Sequence, residues 1–208
     1  MISAILLAAG ESRRMGQLKQ LLAWGSKTVI ETCLETLLAA KVDEVIVVLG
    51  HRSDEIRAQV QLLPVKIAIN QEYHQGMSSS IKCGVREVRP DAQAVVIALV
   101  DQPLITSTIV DQLIEAYMKE AKKIVIPEFE GRSGHPILID LAYRDEVLRV
   151  DPQSGLRRVV YSHWDETLKL PVETDVILQN MNTWEDYQRM LERSSTMADQ
   201  WRSGSSWR

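Results

Sequence analysis

The chain has 208 residues, 45% hydrophobic and 25% charged, which is enough for one globular domain with a sizeable core. Its net charge of −4 at pH 7 argues against extended nucleic acid as a partner, since neutralising a phosphate backbone takes a basic surface. Two cysteines inside apolar helical patterns, four scattered histidines and no long apolar run exclude a disulfide framework, a zinc cluster and a membrane span.

Residues 2–8 form a nearly continuous apolar run that leads into Gly10, which reads as a buried first strand rather than a signal peptide because no basic segment precedes it. A cytoplasmic location is the expectation. From Thr28 onward, Ile30, Cys33, Leu34, Leu37 and Leu38 recur at helical spacing. Residues 44–49 are a strand ended by Gly50, and Ser53 is expected to cap a helix through Leu62. Ile56 rather than an acid stands third after Ser53, so no capping box forms. A strand at 66–70, a helix at 77–88 and the most hydrophobic strand, 94–100, follow.

Beyond Ala121, residues 123–127 and 136–139 read as strands around the polar loop 128–134. Helices are expected at 141–150 and about 155–162, and strands at 167–172 and 176–178. Thr183 with Asp186 marks a capped start for the final helix, 184–191. The tail from Ser194 has no amphipathic period and reads as mobile.

Strands apolar on both faces and separated by helices imply an α/β fold: a Rossmann-like, mostly parallel sheet with helices on both faces. Right-handed crossovers then bring the loops at Ala9, Gly50, Asn70 and Asp101 to one edge, where chemistry belongs.

The segment L-A-A-G-E-S-R-R-M-G-Q-L-K, residues 7–19, carries the most information. Leu7 leads into Ala8, Ala9 and Gly10, small residues that let a ligand approach the backbone closely. Successive N–H groups in such a turn make a concave anion site. Ser12 adds a hydroxyl, and Arg14 and Lys19 add positive charge, the combination a triphosphate needs as pyrophosphate leaves. The spacing is neither that of a P-loop nor G-x-G-x-x-G. From charge alone, a basic surface turn fits equally well.

This segment resembles the signature L-A-A-G-x-S-x-R-M-G-x-x-K of the nucleotidyltransferases with a glycosyltransferase-A-like fold, and is most similar to the molybdenum cofactor nucleotidyltransferases. The resemblance implies that the loop wraps a nucleoside triphosphate, that Arg14 and Lys19 neutralise it, and that Lys19 activates the α-phosphate. It also implies one nucleotidyltransferase domain over 1–193, with a nucleotide part at about 1–120, an acceptor part at about 121–193 and a tail at 194–208.

Four later segments extend the resemblance. Asn70, Gly76, Ser78, Ser79 and Ser80 form N-x5-G-M-S-S-S, which by itself can be a capped helix start but looks like the base-recognition segment of the cytidylyltransferase branch. Asp101 in D-Q-P ends the most buried strand, where an acid costs desolvation unless it meets a cation. A turn Asp before Pro103 is the alternative; the resemblance makes Asp101 the ligand of a Mg²⁺ cofactor. Gly134 and His135 in G-H-P lie, by resemblance, on the acceptor wall, with no proton-transfer role for His135.

The segment 151–157 is similar to a degraded G-D-x-G-A-R, which puts Arg157 on the acceptor phosphate. Asn180 and Asn182 in N-M-N-T-W-E-D replace the aspartates of many relatives; an amide can coordinate but supplies no negative charge. The implied reaction transfers a nucleoside monophosphate, CMP by preference, to a phosphorylated pterin acceptor, with a molybdoenzyme as recipient of the product. A sugar- or polyol-phosphate acceptor and a non-catalytic cofactor-maturation partner are the alternatives.

Overall fold

The computed structural model describes residues 1–152 and 155–202. The first strand, β1 (Ile2–Leu7), is buried along its whole length. A small antiparallel pair, β2 (Ala23–Trp24) and β3 (Lys27–Thr28), precedes α1 (Val29–Leu38). Thr28 and Glu31 close a reciprocal capping box at the start of α1, satisfying two otherwise orphaned backbone donors. Then come β4 (Glu44–Leu49), α2 (Ser53–Val60), β5 (Lys66–Ile69), α3 (Met77–Glu87), β6 (Ala94–Leu99) and α4 (Ser107–Lys119). The second part contains β7 (Ile124–Phe129), β8 (Arg132–Ser133), β9 (Ile137–Asp140), α5 (Arg144–Arg149), α6 (Gly155–Ser162), β10 (Thr167–Pro171) and α7 (Trp184–Arg202).

An eight-stranded sheet runs in the order β10-β7-β9-β6-β1-β4-β5, with β8 paired to β7. β1 is central and parallel to both β4 and β6, while β9 is antiparallel to its neighbours β6 and β7. The pleat of β1 divides the core: Ala4 and Leu6 join the cluster under α1, α4 and α7, whereas Ile5 and Leu7 join the cluster under α3, α5 and α6. Burial on both faces explains why β1, β4 and β6 are almost wholly apolar. None of the described helices is long and apolar enough to cross a membrane.

The structure corrects several sequence-based expectations. Ser53 is the first helical residue of α2, not its cap; Arg52, at φ 48°, holds the cap position without a side-chain bond. Residues 176–178 belong to a 3-10 turn (Asp175–Leu178) whose Val176 and Ile177 are buried. The Thr174 hydroxyl accepts from the Val176 N–H and turns the chain there, which a short apolar run does not reveal. The final helix continues through Arg202 rather than ending at Leu191, tied back by Arg193 to Asp175 and by Met197 packing on the core. The remainder of the expected mobile tail, 203–208, and positions 153 and 154 of the 151–157 segment lie outside the described residues. α4 was not among the expected elements; Thr183 and Asp186 do cap α7, each backbone N–H bonding the other's side chain.

Candidate active site

The loop after β1 is shaped by where its carbonyls go. Gln20 Nε2 donates to the carbonyls of Ala8 and Gly10, both at 2.9 Å. The Ala9 carbonyl accepts from the His51 N–H at 3.1 Å. With these oxygens occupied, the backbone N–H groups of residues 9–13 donate to no acceptor among the described residues. Ser12 sits in the left-handed region at φ 54°, and the chain then makes one 3-10 turn, Arg13–Met15. A run of unpaired amides in such a turn is an anion-binding concavity.

The charged side chains around it divide their roles. Arg13 is tied to Glu11, whereas Arg14 is exposed and makes no ion pair among the described residues. The half-buried Ser12 hydroxyl accepts from the Lys19 N–H at 3.2 Å and donates to Gln20 Oε1 at 3.3 Å, which shapes the loop. Leu7 is a core residue whose carbonyl accepts from the Val100 N–H.

Lys19 and Asp101 meet at the centre. Lys19 Nζ lies 2.8 Å from Asp101 Oδ2 and donates to the Met181 carbonyl at 3.3 Å, while the Met181 N–H donates to the Asp101 carbonyl at 2.8 Å. Asp101 Oδ1 is buried with no hydrogen-bond partner among the described residues, which is costly for a carboxylate oxygen unless a cation completes it. Asn180 and Asn182 flank Met181 and are exposed and half-buried respectively. The Asp101 carboxylate and the Met181 carbonyl are hard oxygen donors of the kind Mg²⁺ or Mn²⁺ takes alongside ligand phosphates and water, and the two asparagines are the chain neighbours of Met181. The described residues contain no cluster of three or more His, Cys, Asp or Glu that could hold a metal unaided.

His135 lies beside this centre. Burial pushes its imidazole below the ordinary histidine range, against the opposing influence of Asp101 and a backbone hydrogen bond at Ile97. A neutral ring with a buried, unpartnered Nδ1 suits a wall better than a proton relay. Gly134 is packed against the Ile177 carbonyl, so the G-H-P turn is locked to the segment that leads to Asn180.

The other side of the loop is built by β5 and α3. Asn70 is buried, with Nδ2 donating to the hydroxyls of Ser79 at 2.8 Å and Ser80 at 3.0 Å. Its Oδ1 accepts from the Glu72 N–H. Ser78 is buried as well, and its hydroxyl reaches the Pro152 carbonyl at 3.4 Å. Ser79 is the half-buried member of the set, and Gly76 and Met77 are exposed. The Ser79 hydroxyl is also within donating distance of the Glu72 carbonyl, at 2.9 Å, and the Gly76 carbonyl, at 2.8 Å. Asn70 and all three serines are thus engaged within the protein, while the Gly76 backbone faces solvent. Three strand spacings separate the ends of β5 and β6, roughly 14 Å. Arg157 is exposed on α6, next to Arg158, which pairs with Asp151 at 3.5 Å.

Sequence reasoning overlooked three contributors. Gln20 pins the loop, Met181 supplies backbone groups to both Lys19 and Asp101, and Trp184 Nε1 donates to the Met15 carbonyl at 3.2 Å. Only the last carried a signal, as the unexpected Trp of N-M-N-T-W-E-D.

Comparison with known proteins bears on the family and the fold. Residues 4–167 match the model of the MobA-like NTP transferase domain. The chain is 32% identical to the nicotine blue oxidoreductase of Paenarthrobacter nicotinovorans over 70% of its own length and 74% of that protein. It is 25% identical to the molybdenum cofactor cytidylyltransferase of Escherichia coli (strain K12) over 92% and 96% of the two chains. Among solved structures, Rv0371c from Mycobacterium tuberculosis H37Rv superposes with a TM-score of 0.83 at 28% identity, covering 92% of this chain and 97% of that one. That protein is also known as a complex with manganese. The fold, the loop after β1 and the family match all coincide: the chain belongs to the MobA-like NTP transferase domain family.

Proposed function

We propose that this protein transfers CMP from CTP to the phosphate of a molybdopterin-type acceptor and releases pyrophosphate, with Mg²⁺ as cofactor, handing its product to a molybdoenzyme. One observation carries the reading: the unpaired amides of residues 9–13 adjoin a lysine and an aspartate held against each other at the end of the central strands. Nucleotidyl transfer needs this set, because charge accumulates on the leaving pyrophosphate while the attacking and leaving oxygens stay in line.

In this scheme an acceptor phosphate oxygen attacks the α-phosphorus, and the bond to the bridging oxygen of pyrophosphate breaks. Arg14 and the loop amides bind the β- and γ-phosphates, and Lys19 leaves Asp101 for the α-phosphate. Asp101, Asn180 and Asn182 would hold Mg²⁺, which when bound neutralises phosphate oxygens and fixes their geometry. The acceptor phosphate is already ionised near neutral pH, so no general base is required, in keeping with a neutral His135. Gly134, His135 and Arg157 are assigned to the acceptor side.

The choice of cytosine rests on G-M-S-S-S at 76–80 and L-A-A-G at 7–10. The exposed backbone at Gly76 and the backbone beside Ala9 are the groups placed to read the base, with Asn70 and Ser78 to Ser80 holding that segment in shape. A thermal-melt panel of CTP, GTP and ATP with Mg²⁺ tests this. A triphosphate at 100 times its Kd adds about 2.7 kcal/mol, or roughly 5–11 °C for a chain of this size. CTP should give the largest rise; a larger rise with GTP or ATP overturns the base assignment.

A further inference from the structure

We propose that Gln20 is the positioning residue that forms the triphosphate cradle, a role that rests on the nucleotidyl-transfer reading above. Gln20 follows Lys19 directly, yet its residue surface is 0% exposed. A glutamine costs free energy in that position unless its amide is satisfied. Both Nε2 hydrogens are used, on the carbonyls of Ala8 and Gly10, and Oε1 faces the Ser12 hydroxyl at 3.3 Å. One side chain thus holds alternate residues 8, 10 and 12 of the loop. The carbonyl between them, Ala9, is held from another direction by the His51 N–H.

This arrangement has an electrostatic consequence. Carbonyl oxygens repel phosphate, and an unrestrained loop would present a mixture of C=O and N–H groups. Engaging three successive carbonyls leaves the amides of residues 9–13 as the groups available to an anion. Gln20 also supports the left-handed Ser12, a conformation unfavourable for a non-glycine residue. Because Gln20 and Lys19 share one 3-10 turn, Lys19–Leu21, the same few residues fix both the cradle and the lysine that serves it.

Gln20→Met keeps the side-chain volume and removes every hydrogen bond. Two readouts decide the role: the Kd for magnesium pyrophosphate and for CTP by calorimetry, and the rate of tryptic cleavage after the exposed Arg13 and Arg14. The variant should melt cooperatively, bind both anions at least about tenfold more weakly, the equivalent of one or two lost net hydrogen bonds, and be cut several-fold faster in the loop. Gln20→Glu keeps size and polarity but offers no donor when ionised and a single one when protonated, so it cannot hold the Ala8 and Gly10 carbonyls together. It should show the same pair of effects, including in the case that Gln20→Met does not fold. A lowered melting temperature with unchanged Kd overturns the proposal, as does an unchanged cleavage rate. If the unmodified protein binds neither pyrophosphate nor any nucleoside triphosphate, the functional reading falls, and the cleavage rate alone decides whether Gln20 holds the loop.

Discussion

Lys19→Ala should lower kcat/KM for pyrophosphate release by about 10²–10³-fold while the protein remains folded. The side chain of Lys19 is 13% exposed and that of Asp101 20% exposed, with their charged atoms 2.8 Å apart. In the absence of nucleotide each neutralises the other. Removing the lysine takes away the cation that would follow the α-phosphate, so the loss should fall mainly on kcat. It also leaves Asp101 with Oδ1 already unpartnered and Oδ2 newly so. For a fully buried pair this would cost about 3–5 kcal/mol; partial exposure here brings it to roughly 1–2 kcal/mol. Lys19→Arg retains the charge on a planar fork that cannot reproduce a compact ammonium between a carboxylate and a carbonyl, and it should recover only part of the rate. Steady-state pyrophosphate release and a thermal melt on each variant check this. Full activity in Lys19→Ala would remove Lys19 from the site.

The second large effect is on stability. A Cβ at Gly134 would lie 2.3 Å from the Ile177 carbonyl oxygen and 2.8 Å from its carbon. The obstacle is backbone, held on both sides: the Gly134 N–H donates to the Pro127 carbonyl at 2.9 Å and the His135 N–H to the Ile177 carbonyl at 3.1 Å. Gly134→Ala must therefore displace the turn before β9 or the 3-10 turn at Asp175–Leu178. The expected cost is about 3 kcal/mol, at the upper end of the usual overpacking range. The melting temperature should fall by roughly 6–12 °C. His135 and the 180–182 segment should shift with it, weakening acceptor binding more than nucleotide binding. A melting temperature within a degree of the parent would show that the contact relaxes freely.

The parts legible from sequence are those whose side chains declare their surroundings. β1, β4 and β6 are apolar on both faces because both faces are covered, and their order follows from crossover handedness. The loop at 7–19 pointed to the family that residues 4–167 match because small residues, Arg14 and Lys19 occur at the spacing of that family's signature. An acid ending so apolar a strand as Asp101 does was expected to meet a cation, and the cation the structure supplies is Lys19. Burial decides the rest, and side-chain type does not encode it. Ser78, Ser80 and Asn70 have the chemistry of ligand contacts and are also internal fasteners, Ser80 to Asn70 after β5 and Ser78 to the Pro152 carbonyl. Gln20 looks like a surface amide and is fully enclosed. Met181 acts through backbone groups, which every residue type carries. The run at 176–178 was read as a strand because three apolar residues look alike in a strand and in a buried turn.

The most telling measurement follows the fate of the α-phosphorus. Purified protein is incubated with Mg²⁺, molybdopterin and CTP labelled at the α-phosphate, and both the label and released pyrophosphate are quantified. Transfer of the label to a pterin-containing product, with equimolar pyrophosphate and dependence on Lys19 and Asp101, is the predicted result. Label that stays in CTP, or appears only as free CMP whether or not the pterin is present, would contradict a nucleotidyl transfer to this acceptor.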